Sequence, residues 1–233
     1  MSARENILAR IRAAQGRGAV PAQAERATVA DYIALRQQGP RPQSDWEPVA
    51  RFRERALSLA STLDEVASVA GVPQAVARYL AGNSLPRAAV CWPELAALDW
   101  SGAGLEVEAR VARGSDLVGI TACFCALAET GTLLLLSGPD TPAGASLLPE
   151  THIAIVDSKR ILRGMEDAWA LLRAERPGAL PRAVNFISGP SRTADIEQTV
   201  TLGAHGPYRV HVILLTGAGA LTPPLTTGVL PHV

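Results

Sequence analysis

Long apolar runs are missing from this 233-residue sequence, and so are cysteine clusters, aromatic residues in any number and an excess of charge of either sign. Each shortage excludes something. A membrane helix needs about 20 consecutive apolar residues. The longest run here, "TLLLLSG", is far shorter and ends in turn residues, so no membrane span is expected. The opening "MSARENILARIRAA" is charged and amphipathic. It lacks the apolar core and small-residue cleavage site of a secretory leader, which predicts a cytoplasmic protein. The 22 Lys and Arg residues are matched by 22 Asp and Glu, leaving no general pull toward nucleic acid or an anionic membrane.

Three cysteines, Cys91, Cys123 and Cys125, cannot build a disulfide framework for a chain of this size. They also fall short of the four ligands of an iron–sulfur cluster. Cys123-Phe124-Cys125 reads as a pair of small buried residues rather than a redox or metal pair, since no further Cys or His nearby completes a tetrahedral set. No tightly held metal is expected. No G-x-G-x-x-G follows a strand, so a Rossmann dinucleotide site is not indicated.

What is present is aliphatic. At 48% hydrophobic, 19% charged and only 4% aromatic, the chain can bury a sizeable core made of Ala, Val, Leu and Ile. Ser2 is placed to cap a helix whose Ile7, Leu8 and Ile11 recur at helical spacing, ending near Gly16 and Gly18. From there to Pro48 the Pro-, Gln- and Arg-rich text reads as an extended arm, suited to wrapping a second copy in a homo-oligomer. Residues 1–48 are thus assigned as helix and arm, and 49–233 as a single α/β domain. Phe52, Ala56, Leu59, Ala60 and Leu63 form one side of a helix. Thr62-Leu63-Asp64-Glu65 has the form of a capping box opening another, and Pro73 starts a further helix that ends at Gly82.

"RAAVCW", "HIAIVD", "AVNFISG" and "RVHVILL" read as buried strands, "LEVEARVA" as a half-exposed one, and "GMEDAWALLRAE" as a helix. Apolar strands alternating with helices predict an α/β fold with a largely parallel sheet and helices on both faces.

Two polar islands interrupt the apolar runs, and ligands of α/β sheets sit at strand carboxyl ends where such islands occur. The first is Glu129-Thr130-Gly131-Thr132, between "CALA" and "LLLL". It is either a hairpin turn with a solvated Glu129, or a cleft carboxylate whose burial must be compensated. The residues leave both open. The second is Gly189-Pro190-Ser191-Arg192-Thr193, followed by Asp195, Glu197 and His205-Gly206-Pro207. If "TADIEQT" begins a helix, free backbone N–H groups with the Ser191 and Thr193 hydroxyls and the Arg192 fork make an anion-binding nest. A small carboxylate or a phosphorylated ligand would suit it. The plain alternative is a helix cap with a solvated Arg192. Histidine is the side chain suited to proton transfer near neutral pH, so His205, oriented by Asp195, could move a proton or simply fix the turn. His211 reads as a strand residue, His232 as part of a tail, and His152 as the start of a strand without an assigned role.

"AETGTLLLLSG", "LLPETHIAIVD" and "GPSRTADIEQTVTLGAHGP" together resemble the LUD, or lactate-utilisation, domain family over about residues 85–215. The resemblance implies a fold like that of the ribose-5-phosphate isomerase, glucosamine-phosphate isomerase and CoA-transferase group. It also implies a part in oxidising L-lactate to pyruvate beside iron–sulfur lactate-utilisation proteins, with the clusters on those partners and no cofactor held by this chain alone. Under that reading Glu129, Asp195 and His205 are the candidate catalytic residues. Thr130, Gly131, Thr132, Gly189, Pro190, Ser191, Arg192, Thr193 and Gly206 are the candidate substrate-binding ones. Two other classes stay open: an isomerase or acyl-transferase acting on a phosphorylated or CoA-linked metabolite, and a non-catalytic assembly subunit.

Overall fold

Two kinds of apolar run in the sequence become two different sheets. The computed structural model describes residues 2–18, 20–178, 180–194 and 200–217, with strands numbered β1–β12 and helices α1–α6 along the chain. The larger sheet has six strands in the order β1 (Thr62–Val66), β12 (Arg209–Leu215), β7 (Thr151–Asp157), β4 (Val118–Ala122), β2 (Ala88–Cys91) and β3 (Glu106–Ala109). Every neighbouring pair is parallel. Its central strands are continuously buried, which is why they read as unbroken apolar runs.

The alternation of side chains sorts the core into two layers. Ile120, Ile153, Ile155 and Ile213 meet Val72, Val76 and Leu80 of α4 (Val72–Gly82). On the opposite face Ala154, Val156, Val212 and Leu214 meet Phe52 and Ala56 of α3 (Pro48–Ser58) and Ala145 of α5 (Gly144–Leu147). Helices therefore lie on both faces, as the pattern of strands and helices implied.

The second face also receives a smaller, mixed sheet, ordered β8 (Ile161–Leu162), β5 (Cys125–Leu127), β6 (Thr132–Leu136) and β9 (Val184–Ile187). Ala126, Leu133 and Leu135 point into the shared core. Cys125, Leu127, Leu134 and Leu136 point the other way, onto Ala168 and Leu172 of α6 (Met165–Glu175). "AVNFISG", read as one more strand of the main sheet, belongs here instead, antiparallel to β6.

Two local readings are corrected. Thr62–Glu65 does not open a helix: it is β1, paired along its length with His211–Leu215 of β12. The capping signal is real but local, and pairing with a strand far along the chain outweighs it. The stretch expected to be an extended arm contains a helix, α2 (Gln23–Leu35), following α1 (Ala3–Ala14). Residues Met1–Gln43 and Ser44–Val233 form separate units. Ser2 caps α1 as expected, in a capping box with Glu5. Among the described residues no helix is long and apolar enough to cross a membrane.

Two histidines lie inside the larger sheet. His152 is fully buried and shares a hydrogen bond with the Thr121 hydroxyl through Nε2 (2.8 Å). His211 is buried, stacks on Tyr79 at 3.9 Å and shares a hydrogen bond with the Thr62 hydroxyl through Nδ1 (2.8 Å). Burial lowers both rings to about 4, so both are neutral at pH 7.

Candidate functional site

One flank of α3 gathers the two polar islands. Arg51, Arg55 and Leu59 recur at every fourth position, so they line up along the helix. The turn between β5 and β6 settles on Arg55: Gly131, at φ +68°, comes so close that a Cβ there would lie 2.6 Å from the Ala56 backbone nitrogen and 2.8 Å from the Arg55 Cβ. One helical turn on, Gly189 at φ +80° settles on Leu59, where a Cβ would lie 2.6 Å from the Leu59 carbonyl oxygen. Both positions need a residue that accepts a left-handed backbone and has no side chain. The glycines of the two islands therefore serve close packing against one helix.

Hydroxyls join the islands side to side. Thr130 Oγ1 lies 2.7 Å from Thr132 Oγ1, which lies 2.7 Å from Ser188 Oγ. Thr132 is buried, while Thr130 and Ser188 are exposed at the two ends of this chain of hydroxyls. Glu129 is half-buried, and its backbone N–H donates to the Arg163 carbonyl (3.0 Å). The first island is thus a hairpin turn, since β5 and β6 are antiparallel around it, but its hydroxyls face the second island.

At its described part the second island is a strand, while most of "TADIEQT", read as a helix start, lies outside the described residues. Arg192–Thr193 (β10) pairs antiparallel with Thr201–Leu202 (β11). The Ser191 N–H donates to the Pro207 carbonyl (2.8 Å), and Gly203 N–H donates to the Ser191 carbonyl (3.0 Å). Closing residues 189–194 against 201–207 consumes the N–H of Ser191 that an anion nest would have used. The Ser191 hydroxyl accepts from the His205 backbone N–H (3.3 Å), and the His205 side chain is exposed. Gly206 lies beside Ser191, and Pro190 and Thr193 are half-buried. Arg192 is exposed and donates from Nη2 to the Leu59 carbonyl (3.0 Å). It thereby caps the end of α3, where the helix dipole favours a cation. Asp195 and Glu197, and with them the expected Asp195–His205 pair, lie outside the described residues, as does His232.

The cluster's place in the fold also differs from expectation. Gly131 and Gly189 follow strands of the smaller sheet, but Leu59 leads into β1 and Pro207 into β12. The cluster borders the amino ends of the parallel strands, away from the crevice where such sheets usually bind ligands. At the carboxyl ends, Glu94 follows β2, and burial together with nearby Asp140 raises its carboxyl to about 7.

The thiols do not fit an iron–sulfur cluster. Burial pushes Cys91 up to about 11 and Cys125 up to about 12, and Cys123 is driven up by burial and by Cys125. Cys123 donates to the Cys125 and Leu134 carbonyls. Protonated, hydrogen-bonded thiols are poor metal ligands. Among the described residues no three His, Cys, Asp or Glu side chains come together as a metal site.

Two participants were missed from sequence. Ser188 gave no signal beyond ending a strand, and Arg55 sits in what reads as an ordinary amphipathic helix.

The sequence model of the LUD domain matches residues 95–215. Lactate utilization protein C of Geobacillus sp. (strain WCH70) is 41% identical over 101 residues, 42% of this chain and 42% of that protein. The protein of the same name from Bacillus subtilis (strain 168) is 35% identical over 128 residues, 54% of this chain and 53% of that one. The chain spans about half the length of the curated relatives it matches. Among solved structures, a DUF162 family protein of Deinococcus radiodurans is 26% identical, with a TM-score of 0.49 over 75% of this chain and 99% of that one.

Proposed function

Since the chain belongs to the LUD domain family, we propose that it acts in lactate utilisation as the ligand-binding subunit of an L-lactate-oxidising system. The names of its relatives support the pathway. The observation that carries the reading is the meeting of Thr132 and Ser188, 2.7 Å apart, on the flank of α3. It joins residues 56 positions apart in the chain into one ledge of hydroxyls, exposed at its two ends, Thr130 and Ser188, on turns that rest against Arg55 and Leu59 of α3.

Oxidising L-lactate to pyruvate removes the hydroxyl proton and a hydride equivalent from the same carbon centre. In this reading the chain holds and orients the carboxylate and hydroxyl of the substrate. His205, whose ring is exposed at the rim, or Glu129 accepts the hydroxyl proton. The C2–H bond breaks to give a second proton, released to solvent, and two electrons, which leave one at a time to iron–sulfur partner proteins, because this chain's own thiols are unsuited to a cluster. The whole system would work in the cytoplasm.

The test is lactate-dependent dye reduction in extracts of cells lacking the gene. Activity should be lost, and purified chain should restore it. A chain carrying Thr132→Val with Ser188→Ala should restore about tenfold less or worse, the scale of one or two lost hydrogen bonds. Undiminished dye reduction without the chain would remove it from the pathway. Full restoration by the double variant would leave it as an assembly subunit with no role for the ledge.

A further inference from the structure

We infer that Arg55, rather than Arg192, is the guanidinium that meets the ligand, and that the ligand is a small monocarboxylate held jointly by Arg55 and the end of the Thr130–Thr132–Ser188 hydroxyl chain. The inference rests on the ledge being a ligand site.

The neighbouring arginines are already engaged. Arg51, whose Nε is likewise buried without a partner among the described residues, pairs with Glu54 (2.9 Å) and lies over the Trp46 ring. Arg163 donates to the Ser44 and Trp46 carbonyls. Arg160 is held by Glu175 (2.9 Å). Arg192 caps Leu59. Arg55 is half-buried, pressed at its Cβ against Gly131, and its Nε is buried with no hydrogen-bond partner among the described residues. Nor does an acidic group among the described residues form an ion pair with it. A buried guanidinium N–H without an acceptor is costly. The terminal nitrogens of Arg55 donate to no described residue, and an anion can supply them with acceptors.

Three hydroxyls in series carry three O–H groups, and two of these are used in the links Thr130–Thr132 and Thr132–Ser188. One O–H is left over, and a linear chain can present it at an exposed end, Thr130 or Ser188. A guanidinium and a single spare O–H form a donor set for one carboxylate.

The end of α3 carries the negative pole of its helix dipole, which repels an anion, so hydroxyls alone would not hold one there. With Arg192 occupied on the Leu59 carbonyl, Arg55 supplies the positive charge that no acidic group among the described residues pairs with. That matches a monoanion better than the doubly charged phosphate group.

The test is isothermal titration of the full chain with L-lactate and, separately, inorganic phosphate, repeated for Arg55→Gln, Arg55→Lys and Arg192→Gln. The unaltered chain should bind L-lactate in preference to phosphate. Arg55→Gln should weaken lactate binding about ten- to hundredfold, the range of a charge-assisted hydrogen bond. Arg55→Lys should recover part of the loss, because it restores charge without the planar fork. Arg192→Gln should bind almost normally. Arg55→Gln should also melt no lower than the unaltered chain, since it removes an uncompensated charge. Unchanged lactate affinity in Arg55→Gln overturns the assignment and leaves the ledge as a site. Binding of phosphate in place of lactate overturns the ligand class. Lowered melting in both Arg55 variants marks an internal ion pair and overturns the assignment as well. No binding of either anion by the unaltered chain rejects the ledge itself.

Discussion

Gly131→Ala is expected to lower folding stability by about 2–5 kcal/mol and to displace the turn that carries Thr130 and Thr132. Two costs add. A left-handed backbone at φ +68° burdens any residue with a Cβ by about 1–2 kcal/mol. The new methyl group would also enter the backbone of α3, 2.6 Å from the Ala56 nitrogen and 2.7 Å from the Arg55 carbonyl carbon. Forcing atoms into a filled space costs about 1–3 kcal/mol more. Flexible side chains could step aside, but helix backbone cannot. Urea unfolding measures the effect, with Gly114→Ala as control, because a Cβ at Gly114 meets nothing within 4 Å and its φ is not positive. The idea fails if the two variants unfold at the same midpoint. Gly189→Ala, facing the Leu59 carbonyl oxygen at 2.6 Å, should resemble Gly131→Ala.

Acidification is the second large effect. His152 and His211 titrate near 4 in the folded chain because burial penalises their charged form, against about 6.5 when unfolded. Between those values the unfolded chain binds more protons, so folding stability declines as pH drops from 6.5 toward 4. Each ring contributes a few kcal/mol by the bottom of that range. Glu94 acts in the opposite sense. Its folded carboxyl is held near 7, so the stability it contributes below 4.5 is lost as pH rises from 4.5 to 7. Two fully enclosed rings outweigh one half-buried carboxyl, and the net result is loss in acid. Urea midpoints should change little between pH 7.5 and 6.0, where Glu94 offsets the onset of histidine protonation, and fall clearly between 6.0 and 4.5. In a His152→Gln, His211→Gln chain the fall should be much shallower, whatever its stability at pH 7.5. A flat series for the unaltered chain would contradict the assignment of both rings as neutral.

The parallel sheet was legible because β7 and β12 are buried on both sides, and burial on both sides leaves an unbroken apolar text. The site was legible in part. Thr130, Gly131, Thr132, Gly189 and Ser191 stand out as polar or flexible residues inside apolar runs, and they do belong to adjoining turns. Their partners were illegible. Arg55 follows the same periodicity as any residue on an amphipathic helix, and nothing local says that a distant turn rests against it. That the Ser191 N–H is already taken was illegible for a related reason: the Pro207 carbonyl that accepts it arrives from 16 residues further along. Thr62–Glu65 shows the same limit, since a sound capping pattern was overridden by pairing with β12.

The ledge is assembled from three stretches, 55–59, 129–132 and 188–192, and the first lies outside the part that matches the LUD domain, 95–215. A fragment trimmed to the matched part would keep both turns and lose the beam they lean on. Recognition of a small acid would then vanish even if the trimmed piece kept its strands. Ligand affinity thus doubles as a gauge of whether the complete tertiary structure has formed.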